Sequence, residues 1–332
     1  MVKVAFIGLH HWHAPFYMTA MKAMGYPIAA VADRDASMAE FRARAGECDA
    51  PRYTDYERLL REVRPDLVFA HAPHDEMTDL ADWLVEHRVP FHMEKPMGIS
   101  WKRLAAVAEK ARRTGLWNAV ALVSRQYAIV RRLREMGDEM GALQRYYYGL
   151  LAGPPVRYPD WRCEWMLRPE RAGAGPLWNF GAHVIDLFIL LGKAPVVEVT
   201  ANWTHDLHHL TVEDLCTLRL RNSRGVVGIG EVSYTTPSGY ERHFSVSTDR
   251  LQVHTDTLGK GTIKKFGAAS EEIDGTEFND VYPYQTRDVI EGFAAGRRPV
   301  ADIHDMVATL RVMEAARDSA LAGGVPVAVA AG

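Results

Sequence analysis

Short apolar runs alternate with helical patterns through the first 122 residues, which predicts a parallel sheet with crossover helices. Val2 to Ile7 reads as a buried strand that stops at Gly8, and Ala14 to Met24 as a helix closed by Gly25. Ile28–Ala32 is the second strand and ends at Asp33. A helix from Ser37 to Ala45, a short strand at Arg52-Tyr53 and a helix from Asp55 to Val63 follow. Leu67–Ala72 is a strand stopped by Pro73, Asp75–His87 a helix, and Pro90–Met93 a strand. Ser100 is placed to cap a helix running to Thr114, and Asn118–Leu122 completes the sheet.

Beyond residue 122 the rhythm changes. A helix near Ile129–Met136 leads into longer alternating strands at Leu143–Leu151, Val196–Trp203, Glu213–Leu220, Val226–Tyr234 and Arg242–Ser247. Alternation of this kind suits antiparallel strands with one solvated face. A helix over Leu177–Leu191 interrupts them, and helices near Tyr284–Ala295 and His304–Ala322 close the chain. The expected architecture is an α/β Rossmann domain over residues 1–122 and an α+β domain with a largely antiparallel open sheet over 123–332. The stretch from Gly153 to Pro176 stays unassigned and is rich in Pro, Arg, Trp and Gly, as binding loops and lids often are.

Composition narrows the class. A length of 332 residues suits two domains, and 48% hydrophobic with 24% charged residues suits a globular chain. A net charge of -3 offers no broad basic field for nucleic acid or an anionic membrane. Cys48, Cys163 and Cys216 are too few and too scattered for a disulfide framework, which points to a reducing compartment. No apolar stretch approaches the roughly 18–20 residues of a membrane span. The first strand begins at once, without a signal-peptide pattern, so a cytoplasmic enzyme is expected.

A dinucleotide site wants three spaced glycines after the first strand, for a tight turn, close approach of the pyrophosphate and helix packing. The run here is Gly8-Leu9-His10-His11-Trp12-His13, and the first glycine alone is kept. The helix N-terminus still offers N–H groups and a positive dipole end. Gly8, His11 and Trp12 are therefore candidates to hold the cofactor, with His11 adding a hydrogen bond. Asp33 lies 25 residues after Gly8, where a carboxylate accepts from the adenosine ribose and repels a 2′-phosphate, which favours NAD over NADP. Arg34 beside it leaves NADP open. Capping of the next helix is the alternative role of Asp33.

Val89-Pro90-Phe91-His92-Met93-Glu94-Lys95-Pro96-Met97 resembles the Glu-Lys-Pro signature of the glucose–fructose oxidoreductase and inositol dehydrogenase family (Gfo/Idh/MocA). The resemblance implies a commonly cis proline peptide and a lysine, Lys95, that reaches both the nicotinamide ribose and the substrate hydroxyl. A lysine near a cationic nicotinamide should lose its proton readily and so relay one near neutral pH. Ala70-His71-Ala72-Pro73-His74 stands where the family has a Thr-Pro-Asn-like turn, so Ala72, Pro73, His74 and Glu94 join the implied cofactor contacts. Arg125 matches the arginine of the segment entering the second domain. Gly173 to Leu187 resembles the family's glycine-rich loop and its Asp-x-Gly-x-His-x-x-Asp helix, and Tyr284 to Pro299 fits its closing segment.

One departure stands out. The family's Asp four residues before the histidine is Asn179 here, paired with His183 on one expected helical face. Asn179 can orient a hydroxyl but cannot take its proton, which falls to His183 or Lys95, with Asp186 a turn further on. The histidines also cluster in sequence. His10, His13 and His71 are expected to converge at the switch point of the sheet and form an alternative transition-metal set, although no regular metal spacing occurs. Trp161, Arg162, Trp165, Arg168 and Arg171 of the long loop suit either sugar stacking and hydrogen bonding or an oligomer contact. Arg162, Trp165 and Tyr284 are the candidate substrate contacts.

The resemblance implies an NAD(P)-dependent oxidoreductase acting on a sugar, sugar derivative, glycoside or cyclitol, and a homo-oligomer, dimer or tetramer. The altered turn and the Asn keep a second class open: a nucleotide- or sugar-sensing protein, or a histidine–metal hydrolase or lyase.

Overall fold

The computed structural model describes residues 1–255, 260–275 and 281–331. They form two compact units, each with its own sheet. The first takes residues 1–121 together with 158–166 and 282–307, two returns that a single cut near residue 122 does not anticipate. The second takes 122–157, 167–281 and the chain from 308 onward.

In the first unit β1 (Val4–Ile7), β2 (Ile28–Ala32), β3 (Arg52–Tyr53), β4 (Leu67–Ala70), β5 (Phe91–Met93) and β6 (Asn118–Val120) pair in parallel in the order β3-β2-β1-β4-β5-β6. Every residue of β1, β4 and β5 is buried, since both faces of a parallel sheet are covered; β1 and β4 are apolar throughout, and β5 places His92 between Phe91 and Met93. The covering helices are α1 (Ala14–Ala23), α2 (Ala36–Ala45), α3 (Tyr56–Val63), α4 (His74–Glu86) and α5 (Trp101–Thr114). The Asp35 carboxylate caps α2 by accepting from Ser37 N–H (2.8 Å) and Met38 N–H (3.3 Å), and Asp55 caps α3 through Arg58 N–H (3.1 Å). Ser100 does precede α5, but its side chain makes no capping bond.

The two returning segments are held by side chains that sequence reading did not single out. Arg42 on α2 donates to Leu9 O (3.0 Å), Trp161 O (2.5 Å) and Cys163 Sγ (3.0 Å), which ties residues 158–166 to the turn after β1. Val120 N–H donates to Ala301 O (3.0 Å) and Trp117 Nε1 to Arg297 O (2.9 Å), which ties down the segment from 282 to 307.

The second unit carries a nine-stranded sheet. Its strands are β7 (Leu143–Ala152), β8 (Val196–Thr204), β9 (Leu215–Asn222), β10 (Val227–Ser233), β11 (Tyr240–Thr248), β12 (Leu251–Thr255), β13 (Gly261–Lys265), β14 (Glu271–Ile273) and β15 (Val327–Ala328). The order is β14-β13-β12-β11-β7-β10-β9-β8-β15, antiparallel except for the parallel β7–β10 pair. The last three strands before the closing helices and β15 are short, and no alternation in the sequence had marked them.

The helix expected over Leu177–Leu191 is two pieces. Pro176–Asn179 and Gly181–Gly192 are separated at Phe180 (φ -110°, ψ -28°). Gly181 has no side chain, and a Cβ there would lie a tight 3.0 Å from Leu177 Cδ1. Ten of the twelve residues of Gly181–Gly192 are buried, as an all-round apolar helix requires. Among the described residues no single helix is long and apolar enough to cross a membrane.

Candidate active site

The chemistry-bearing residues fall into two groups, one in each unit. In the first unit, Gly8 ends β1 with φ +70°, and a Cβ at that position would sit 2.3 Å from His71 O. Glycine is required there for both reasons. Beyond it opens a cavity of about 380 Å³ lined by Gly8, His10, Asp33, Arg34, Ala72 and Pro73 among others. Tyr56 of α3 and Glu76, Asp79, Leu80 and Trp83 of α4 line it too, and no motif marked them. Asp33 is 1% exposed and accepts from Leu9 N–H (2.5 Å), Asp35 N–H (2.8 Å) and the His10 ring (Nε2 3.2 Å). The hydrogen bond to Asp33 raises the His10 pKa, against the effect of burial. Arg34 is exposed and lies over the Tyr56 ring at 5.4 Å. A carboxylate at the end of β2, an apolar wall and a close-approach glycine fit the adenosine half of a dinucleotide.

At the end of β5 the Lys95–Pro96 peptide is cis, as the resemblance implied. Glu94 and Lys95 are each 1% exposed. Glu94 Oε1 accepts from His13 Nδ1 (3.0 Å) and from the Tyr17 hydroxyl (3.4 Å), and Oε2 accepts from Lys95 N–H (3.1 Å). Burial pushes the Glu94 carboxyl up, but His13, Lys95 and His71 outweigh it and hold it down at about 2. Burial lowers Lys95 to about 8, with Glu94 opposing. The neighbouring imidazoles discard their charge: burial takes His71 to about 3 and His92 to about 4, and it lowers His13 and, further, His11. The turn therefore holds one carboxylate, one readily deprotonated amine and a shell of neutral rings.

His10, His13 and His71 do not form the alternative metal set. His10 turns to Asp33, and among the described residues the group with donor atoms within 4.8 Å of one another is His11, His13 and Glu94. Trp12 stacks on His11 (3.9 Å) and packs with Tyr158, Trp161 and Trp165 at 5.2, 6.1 and 6.2 Å. Trp165 Nε1 donates to His10 O (3.0 Å) and its ring lies 4.8 Å from His74, so it anchors the 158–166 segment instead of presenting an open stacking face. Arg162 is exposed over Phe41 (4.4 Å), and Tyr284 is 42% exposed on the helix Val281–Ala294. That same helix sends Gln285 to His92 (3.3 Å), a contact spanning 193 residues that nothing in the sequence signals.

In the second unit Asn179 and His183 are 2% and 6% exposed. They lie on either side of the break at Phe180, so the one-turn spacing of a continuous helix is not kept. Asn179 Nδ2 donates to the Tyr234 hydroxyl (3.4 Å). Asp186 is not poised to take a proton: its two oxygens accept from Arg125 Nε (2.9 Å) and Nη2 (2.6 Å) in a buried fork. Glu213, another residue the sequence did not flag, accepts from Gly175 N–H (2.7 Å) and Leu177 N–H (2.9 Å) and so fixes the glycine-rich loop that leads to Asn179.

A doubly wound parallel sheet with a carboxylate after its second strand, a cis-proline turn after its fifth and a second sheet domain defines a dinucleotide-dependent oxidoreductase. Residues 2–122 match the model of an oxidoreductase family with an NAD-binding Rossmann fold, and residues 145–257 match that of the GFO/IDH/MocA C-terminal domain. The chain therefore belongs to the GFO/IDH/MocA family of NAD-binding oxidoreductases.

Its fold is similar to that of an oxidoreductase domain protein from Kribbella flavida (TM-score 0.85, 17% identity, 99% of each chain). An oxidoreductase from Agrobacterium radiobacter, in complex with NAD+, L-tartaric acid and magnesium, is also similar (0.83, 19%, 99% of this chain and 98% of that one). So is a UDP-N-acetylglucosamine 3-dehydrogenase from Acidithiobacillus ferrooxidans (0.81, 21%, 97% and 98%). No protein of curated function matches the sequence.

Proposed function

We propose that the chain transfers hydride between NAD(P) and a hydroxyl-bearing carbon of a small polyhydroxylated substrate: a sugar, sugar derivative, glycoside or cyclitol. The observation that carries this reading is Lys95, buried beside Glu94 on the cis-proline turn at the carboxyl end of the parallel sheet. Ligands bind at that end of such sheets. The similar proteins add support, since one was crystallised with NAD+ and the polyhydroxy acid L-tartaric acid and another is a sugar-nucleotide dehydrogenase.

Gly8, Asp33, Ala72 and Pro73 would hold the adenosine side of the cofactor, with Arg34 at the rim and His11, Trp12 and His74 beyond. Glu94, Lys95 and Arg125 are the proposed contacts toward the nicotinamide side. Bound NAD supplies a two-electron hydride acceptor. Lys95 and His183 handle the proton of the hydroxyl, and Asn179 orients it. Arg162 and Tyr284 remain the proposed substrate contacts, whereas Trp165 serves to hold the 158–166 segment.

With Lys95 near 8, the rate of alcohol oxidation should rise with pH through about 8 as the amine becomes able to accept the proton. Lys95→Met should lower turnover by about 10²–10⁴-fold, while the contacts on the adenosine side keep an NAD-induced gain in melting temperature, reduced but present. Full turnover in that variant sinks the assignment. No thermal response of the wild type to NAD or NADP at 100-fold excess over a normal dissociation constant, where about 2.7 kcal/mol is expected, sinks the cofactor reading. The same reading carries a homo-oligomer, dimer or tetramer, which sedimentation velocity measures.

A further inference from the structure

His11 is 0% exposed, and its two ring nitrogens are in different situations. Nδ1 accepts the His13 backbone N–H at 3.2 Å. A neutral imidazole has one donor and one acceptor nitrogen, so the proton sits on Nε2. That Nε2–H is buried and meets no acceptor among the described residues. The ring is kept neutral by burial, by His13 and by Lys95, and is clamped by the stacked Trp12. One of its nitrogens lies within 4.8 Å of the Glu94 carboxylate, which places the ring beside the turn that carries Lys95.

Several backbone donors around it are already engaged: Leu9 N–H by Asp33, His13 N–H by His11 itself and Ala14 N–H by His11 O (3.4 Å), while Pro15 has none. A glycine-rich turn presents backbone N–H groups to a bound anion. Here a side-chain N–H adds to those the turn keeps. The same tautomer argues against a metal at His11, His13 and Glu94, because the nitrogen not held by His13 carries a hydrogen where a ligand needs a lone pair.

We infer that His11 presents its Nε2–H to an oxygen of the ligand bound at the Glu94–Lys95 turn. Resting on the hydride-transfer reading, that oxygen belongs either to the nicotinamide nucleotide or to the substrate group that alternates between hydroxyl and carbonyl. A donor that stays neutral polarises the oxygen without surrendering a proton to it, which leaves proton traffic to Lys95 and His183.

The first measurement needs no activity. Long-range ¹⁵N NMR of histidine-labelled free protein, with His11 assigned by its loss in His11→Asn, should give an Nε2–H neutral ring at every pH from 6 to 8. An Nδ1–H ring or an imidazolium at neutral pH overturns the inference. The second measurement compares His11→Phe and His11→Asn. A substrate contact predicts a fall of about 10²–10³-fold in kcat for His11→Phe with unchanged NAD binding. A nucleotide contact predicts NAD binding weaker by about tenfold. His11→Asn, which keeps an N–H donor, should recover part of either loss. If His11→Phe changes neither quantity, or if wild type takes up one equivalent of Zn²⁺ that His11→Phe does not, the inference falls. A wild type that binds no nucleotide would instead sink the proposed function and leave the tautomer to be read on its own.

Discussion

Each unit buries charge beside its candidate residues, and the two do it in opposite ways. In the second, Arg125 and Asp186 stay fully charged and cancel one another through a two-bond fork. In the first, burial holds four imidazoles, those of His11, His13, His71 and His92, neutral around the Glu94–Lys95 pair. A guanidinium cannot give up its proton in a protein, whereas an imidazole gives it up for a modest cost. The fork therefore makes a rigid strut. The imidazole shell makes a polar pocket that stays uncharged until a ligand or a proton arrives.

The largest expected effect tests the strut. Arg125→Met leaves Asp186 buried without its counter-charge and should cost about 3–5 kcal/mol in urea denaturation, and the double variant Arg125→Met/Asp186→Leu should recover most of it. Glu94→Gln should cost less, about 1–3 kcal/mol, since the rings around it carry no charge to strand and Lys95, already lowered to about 8, can shed its proton where a guanidinium cannot. Equal losses for Arg125→Met and Glu94→Gln would erase the contrast.

The pH dependence sharpens it next. Glu94 is held at about 2 from an ordinary 4.5, so its contribution is present above pH 4.5 and disappears as pH falls through about 2. The stability difference between wild type and Glu94→Gln should shrink over that window. Glu213, whose carboxyl burial pushes up against the two backbone N–H groups it holds, has the opposite sign. Its folded form binds the proton more tightly than the unfolded chain, so wild type should lose stability relative to Glu213→Gln as pH rises above the usual carboxylate range. Parallel curves for the two variants would refute the assignment of either shift.

The smallest effect probes one bond. Tyr17→Phe removes the hydroxyl donor at 3.4 Å from Glu94 and should cost about 0.5–1.5 kcal/mol, with the acid limb of Glu94 moving to higher pH.

Much of the first unit was legible because its signals are local. The apolar runs of β1 and β4 and the Glu94-Lys95-Pro96 turn each follow from a few neighbouring residues, whereas the cap offered to Asp33 falls to Asp35. The strand order was legible too, since parallel crossovers leave few topologies. Ser100 was misread as an active cap because composition marks a position without fixing where a hydroxyl points. The helix through Asn179 and His183 was taken as continuous because hydrophobic periodicity does not register a break in the backbone at one residue, Phe180.

The sequence by itself determined the two-sheet architecture, the family and the position of Lys95, since hydrophobic period and short motifs are written in adjacent residues. The tertiary structure alone decided which histidines meet, that Asp186 is locked to Arg125, that Trp165 is an anchor and that His11 keeps its proton on Nε2. Those outcomes depend on burial and on single hydrogen bonds between residues distant in the chain, or on the orientation of one ring. No pattern of residue types encodes these.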